Sequence, residues 1–169
     1  SSIGQNSQGF IPLKVDYAMN FEQLYWKVSF LLSYCNVILQ EYVKGKGIGV
    51  EIIADHGHIE YFFQHERLHE VPLSGGASSL RKGLPLIPKL KESTEKIIYA
   101  LNWHGVAMVE FKYNPVDGSY ALMEINGRLW GSLPLAVASG ADFPRMIYEL
   151  YVEGAIKSHK EPKIGIVSR

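Results

Sequence analysis

Two acids and an amide stand in strand-like sequence, with an arginine close behind: Glu110 in MVEFK, then Glu124, Asn126 and Arg128 in MEINGR. Between the two runs lies Asn114-Pro115-Val116-Asp117-Gly118. Proline fixes φ there and Asp-Gly tolerates positive φ, so the segment reads as a turn joining two strands. Pairing them symmetrically about Val116 sets Tyr113 opposite Ser119, Glu110 opposite Leu122 and Met108 opposite Glu124. Side chains alternate along a strand. Glu110, Lys112, Glu124 and Asn126 are therefore expected on one face, with Val109, Phe111 and Tyr113 on the other. A slip of one residue would separate the acids.

Two carboxylates and an amide oxygen on one sheet face suit a hard cation. Mg²⁺ takes oxygen ligands and is commonly held by one or two carboxylates together with substrate phosphates. The competing reading is a solvated strand face in which Glu110 and Glu124 accompany Lys112, since antiparallel sheets often expose one polar face.

The chain must supply elements that hold such a face. Its 169 residues suffice for one substantial core. Its 17 basic and 17 acidic residues balance, so no global field directs it to nucleic acid or a membrane. No apolar run approaches the roughly 18 residues of a membrane span. A single cysteine, Cys35, excludes an internal disulfide and fits a reducing, cytoplasmic setting. The first residues carry no signal-peptide pattern and no Met, so a fragment or a processed chain is expected.

Residues 1–9 read as a small-residue loop, and Phe10 to Asp16 as a short edge strand with Pro12. Asn20 with Gln23 makes a capping pattern for a helix that buries Leu24, Val28, Leu31 and Leu32. Val37 to Val43 reads as a strand, residues 44–49 as a turn, and Val50 to Ala54 as a strand. Asp55-His56-Gly57-His58 is a hairpin turn into a strand from Ile59 to about Glu66. A loop is expected from Ser74 to Ser79. A helix follows from Pro88 to about Asn102, with Leu90, Ile97, Ile98 and Leu101 inward. Beyond the hairpin come short helices from Leu133 to Ala138 and from Asp142 to Tyr151, then a loosely ordered basic tail from Lys157. The fold class is α+β: a largely antiparallel sheet with helices packed on one face.

Other stretches carry weaker chemistry. Lys44 to Gly49 holds three glycines but lacks the Gly-Lys-Ser/Thr ending of a phosphate loop. His56 and His58 lack further partners at zinc-ligand spacing and read as solvated turn residues. In QHERLHE, His65 could serve as a base and Arg67 could hold an anion. Ser1 to Gly9 could fold over phosphates.

Taken together, these segments resemble the ATP-grasp superfamily of carboxylate–amine ligases, with biotin carboxylase and the carbamoyl phosphate synthase large subunit the nearest likenesses. The acid of MVEFK and the acid-x-Asn-x-Arg of MEINGR carry the resemblance. ILQEYV resembles that family's hinge, FFQHERLHEVP its basic strand, and SQGF the end of its glycine-rich loop.

The resemblance implies an ATP- and Mg²⁺-dependent enzyme, Mn²⁺ being a substitute cation, that activates a carboxylate as an acyl phosphate for an amine. It implies that Glu110, Glu124 and Asn126 ligate the metal. Arg128 would stabilise the phosphorylated intermediate, with Arg67 and His65 near the γ-phosphate. The backbone of Glu41 and Val43 would meet the adenine, and Ser7, Gln8 and Gly9 would cover the phosphates. Residues 1–39 would be a remnant of the small lobe and residues 40–169 the C-terminal lobe. The family's two nucleotide-binding lysines precede the glycine-rich loop and have no counterpart here. A truncated N-terminus is thus expected, completed by a missing portion or by a partner chain. The alternative is a non-catalytic nucleotide-binding or interaction module. Small-molecule carboxylate and amine substrates are the expected partners, with no nucleic acid and no membrane.

Overall fold

His56 and Gly57 both take positive φ, 45° and 88°, and the tight turn they form joins two long strands. Such a turn matches the twist of the strands it links. In the computed structural model these are β3 (Lys46–Asp55) and β4 (His58–Val71), where β1 is Ser2–Asn6 and β2 is Gly9–Leu13. The structure describes residues 2–6, 9–13, 15–71, 77–157 and 159–169. The chain divides into two compact units, Ser1–Tyr42 and Val43–Arg169.

In the first unit, β1 and β2 pair antiparallel, and α1 (Phe21–Leu32) follows. Asn20 caps α1: its Oδ1 accepts from Gln23 N at 2.9 Å, and Gln23 Oε1 accepts from Met19 N at 3.0 Å. Two sequence expectations fail here. Residues 2–6 form a strand, because every residue of that segment finds a ladder partner in β2. The helix has no buried residue: Leu24, Val28 and Leu31 are half-buried and Leu32 is exposed. Residues 37–43 also depart from expectation. They lie outside every ladder, so their β-branched residues are not enough to make a strand.

The second unit is built on a six-stranded antiparallel sheet of order β7-β6-β3-β4-β5-β8. Its other strands are β5 (Ala77–Gly83), β6 (Gly105–Tyr113), β7 (Tyr120–Asn126) and β8 (Val167–Ser168). The glycine-rich stretch expected as a turn is strand from Lys46 onward, and residues 77–79, expected as loop, belong to β5. Both faces of the central strands are covered. Ile48, Val50, Ile52, Ala54, Val109 and Phe111 pack with Leu90 and Ile98 of α2 (Pro88–Ala100). Ile53, Phe63 and Met108 pack on the other face with Leu135 and Ala136 of α3 (Leu133–Ala138) and Phe143 and Met146 of α4 (Phe143–Tyr148). Burying each Val, Leu, Ile, Phe or Met side chain among these contributes about 1.5–3 kcal/mol. Helices against one face therefore describes α2, and two short helices stand on the opposite face. Of the residues expected inward on α2, Leu90 and Ile98 are buried, Ile97 is half-buried and Leu101 is exposed.

The helix expected to run to Tyr151 changes at Tyr148 into a π-helical turn, Glu149–Glu153, which Gly154 ends at φ 80°. The basic tail is docked rather than loose. β8 pairs with β5, Lys163 N donates to Ser139 O at 2.8 Å, and Gly83 N donates to Ile166 O at 2.9 Å. Glu149, 2% exposed, accepts hydrogen bonds from Arg145 Nε and His159 Nε2 at 2.8 Å and from Lys157 N at 3.2 Å. The Arg145 and His159 bonds hold its carboxyl down to about 2.

Candidate metal–nucleotide site

The register of the β6–β7 hairpin decides where the acids sit. Glu110 pairs directly with Glu124, Met108 with Asn126 and Phe111 with Leu122, with a bulge between the last two acid and apolar rows. The symmetric pairing about Val116 is therefore wrong. Tyr113 faces Tyr120, and the bulge at Met123 takes up the extra residue. It restores Glu110 and Glu124 to one face, closer together than the symmetric register would put them.

Around this pair the sheet gathers charge. Asn126 Nδ2 donates to Glu124 Oε1 at 2.9 Å and to Glu110 Oε1 at 3.3 Å. Arg128 Nη2 donates to Asn126 Oδ1 at 3.3 Å. Arg67 forms an ion pair with Glu110 through Nη2 and Oε2. Gly127 lies against the Trp103 indole, and a Cβ there would overlap the ring. That contact holds the backbone between Asn126 and Arg128 close to the sheet. Glu110 is 7% exposed. Burial raises its pKa above the ordinary value, Arg67 opposes the rise, and Glu124 adds to it. Desolvation therefore outweighs the adjacent Arg67 charge at this carboxyl.

His65 stands on β4, two strands in from Glu110. Gly49 of β3 pairs with His65 on one side and with Glu110 on the other. The imidazole occupies the space a side chain at Gly49 would fill, since a Cβ there would come within 2.5 Å of His65 Cε1. His65 is 1% exposed, and its Nδ1 is 2.5 Å from Glu51 Oε1. Ser132 Oγ donates to the same oxygen at 3.1 Å, whereas Glu51 Oε2 has no hydrogen-bond partner among the described residues. His65 is thus part of the packing under the acid row rather than an open surface base.

Two residues escaped the sequence reading. Arg81 pairs with Arg67 across β4 and β5. Its pKa is lowered, first by burial and then by the Arg67 charge. The strand assignment of SSLRKG would have exposed it, had residues 77–79 not been read as loop. Glu51 sits in a run of apolar residues, and a charge there was the available signal. Of the remaining candidates, Glu41 lines an open cleft of about 490 Å³ in the first unit with Tyr17, Phe21, Leu39 and Tyr42. Val43 is half-buried and, like Glu41, outside the ladders. Gly9 begins β2, while Ser7 and Gln8 lie outside the described residues.

A family model described as ATP-grasp in the biosynthetic pathway with Ter operon matches residues 33–168. The chain belongs to this ATP-grasp family. Solved structures agree on the fold. A biotin carboxylase–β-γ-ATP complex from Campylobacter jejuni shares 17% identity at TM-score 0.59, covering 76% of this chain and 30% of that one. Pyruvate carboxylase from Rhizobium etli shares 18% at TM-score 0.58, covering 76% and 14%. Urea carboxylase from Kluyveromyces lactis shares 13% at TM-score 0.55, covering 72% and 11%. This ATP-grasp chain thus spans under a third of the length of these enzymes. No curated protein matches it. Among the described residues no helix is long and apolar enough to cross a membrane.

Proposed function

We propose that this ATP-grasp chain carries the metal-holding part of an ATP-dependent ligase that activates a carboxylate for attack by an amine. The direct cross-strand pairing of Glu110 with Glu124, with Asn126 bonded to both, is the observation that carries the reading. The donor set fits Mg²⁺: two carboxylates and an amide oxygen are hard ligands, and the raised Glu110 carboxyl favours a nearby cation. Glu110, Glu124 and Asn126 would hold the ion, which when bound neutralises phosphoryl oxygens of ATP.

The rest of the chemistry belongs to the chain's own groups. A carboxylate is a poor acyl donor because oxide would have to leave. Its oxygen attacks the γ-phosphorus and ADP departs; the amine nitrogen then attacks the acyl carbon of the acyl phosphate, inorganic phosphate leaves, and the nitrogen gives up a proton. Arg67, Arg81 and Arg128 supply fixed positive charge for the phosphoryl oxygens, and such preorganised charge is what phosphoryl transfer requires. Ser132 donates to Glu51, Glu51 holds His65, and His65 fills the space over Gly49, the residue paired with Glu110 on β3. The backbone of Glu41 and Val43 remains the proposed contact for adenine, because neither residue commits its main chain to a sheet.

The test is Glu124→Gln in the full-length protein, with Mg²⁺-dependent ATP turnover as the readout. Loss of at least about 10²-fold is expected for a charge-stabilising group. Undiminished turnover would overturn the assignment. Mg-ATP binding to the 169-residue chain without any turnover in the full-length protein would instead favour a nucleotide-binding module.

A further inference from the structure

At the opposite end of β3 from the acid row, three ligand-type side chains converge. Asp55 ends β3, His56 forms the turn, and His104 immediately precedes β6. Asp55 Oδ1 is 2.6 Å from His56 Nδ1 and 3.0 Å from His104 Nδ1. One ligand atom from each of the three residues lies within 4.8 Å of the others. The two imidazoles lie side by side, tilted by 39°, with ring centroids 4.4 Å apart.

We propose that Asp55, His56 and His104 form a binding site for a transition-metal dication of the Zn²⁺ type. Zinc binds His nitrogen at about 2.0–2.1 Å and carboxylate oxygen at about 2.0–2.2 Å, which separates ligand atoms in a tetrahedral shell by about 3.3 Å. The Asp55–His56 and Asp55–His104 distances of 2.6 and 3.0 Å fall short of that figure by well under 1 Å, so small side-chain rotations suffice. Without an ion, two rings direct the same nitrogen at one oxygen, and both must carry the proton on Nδ1 to bond it. A dication replaces both protons and takes all three lone pairs at once.

The scaffold holds these groups in place. Gly57 N donates to Trp103 O at 2.8 Å, which ties the His56 turn to the residue before His104. The Tyr151 ring packs edge-on against His104 at 4.9 Å. The side chains of His56, Asp55 and His104 are 70%, 45% and 31% exposed, so an ion has free access and keeps water in its remaining positions. The site is distinct from the acid row. Asp55 lies six residues beyond Gly49 on β3, roughly 20 Å away at strand spacing. The ligand chemistry differs as well, since imidazole selects zinc-like ions over Mg²⁺.

The experiment is titration of the 169-residue chain with ZnCl₂ by calorimetry and with CoCl₂ by visible absorption. The expected result is one equivalent bound, with Co²⁺ ligand-field bands, and no competition from millimolar Mg²⁺. Removing a mere outer-shell partner costs metal sites about 10–100-fold, so His104→Ala and His56→Asn should each weaken binding by at least about a hundredfold. Asn tolerates positive φ, so His56→Asn reads out the site even where His104→Ala perturbs the fold by circular dichroism. Glu124→Gln should bind zinc as the wild type does. Absence of zinc heat and cobalt bands, or binding that survives in the His56→Asn protein, would overturn the proposal.

Discussion

Glu110 and Glu149 are both buried carboxylates near an arginine, and the protein treats them in opposite ways. Glu149 receives Arg145, His159 and the Lys157 amide, and its carboxyl is held down to about 2. Glu110 has Arg67 on one side but Glu124 directly across the strand, and burial leaves its carboxyl raised. The difference separates two uses of buried charge. A carboxylate whose lone pairs are answered pins one segment to another. A carboxylate held beside a second acid is costly until something positive arrives.

The comparison breaks most visibly at Glu110. Its folded pKa lies above the ordinary 4.5, so its ionisation weighs against the folded state above that raised value and is relieved below 4.5. Glu110→Gln should reduce ATP turnover of the full-length protein by about 10²-fold or more. Thermal melting of the same variant at neutral pH should show no loss of stability. A variant that melts earlier while retaining turnover would make Glu110 another pin. A smaller effect is expected at Gly49, which pairs with Glu110 on β3. Gly49→Ala drives a methyl group into His65, which Glu51 holds, and overpacking of this kind costs about 1–3 kcal/mol. Urea denaturation measures it, and an unchanged midpoint would mean that His65 moves freely. The smallest signal belongs to Glu149. Its folded pKa is depressed, so its contribution is complete above the ordinary 4.5 and is lost as pH falls toward about 2. Glu149→Gln should flatten the acid limb of the stability–pH curve by up to about one proton. Parallel acid limbs in variant and wild type would remove the contrast with Glu110.

Local chemistry made part of this legible from sequence. Asp-Gly beside proline marked the β6–β7 turn, and the 3.6 periodicity marked α2. The acid-x-Asn-x-Arg spacing marked the candidate site, although the strand register was misplaced. A bulge is invisible to symmetric pairing, because Met123 looks like any other strand residue. What depended on distant partners was not legible. Residues 37–43 look like a strand but join no ladder among the described residues, while Gly49 looks like a turn residue but lies between two long strands. Gly49 is glycine for the sake of a ring from β4. The tail looked solvated because its lysines are polar, yet its order comes from Glu149, Ser139 and the β5 edge.

That tail strand also sets a schedule for the nascent chain. β5 acquires its second neighbour only when Val167 and Ser168 arrive, long after Arg81 and Lys82 have been made. At bacterial and eukaryotic elongation rates the interval is on the order of ten seconds. Through it, the main-chain donors and acceptors of β5 face the crowded exterior as an open template for any passing strand. The protein is therefore most exposed to misassembly while it is being synthesised, before β8 has arrived to cover that edge.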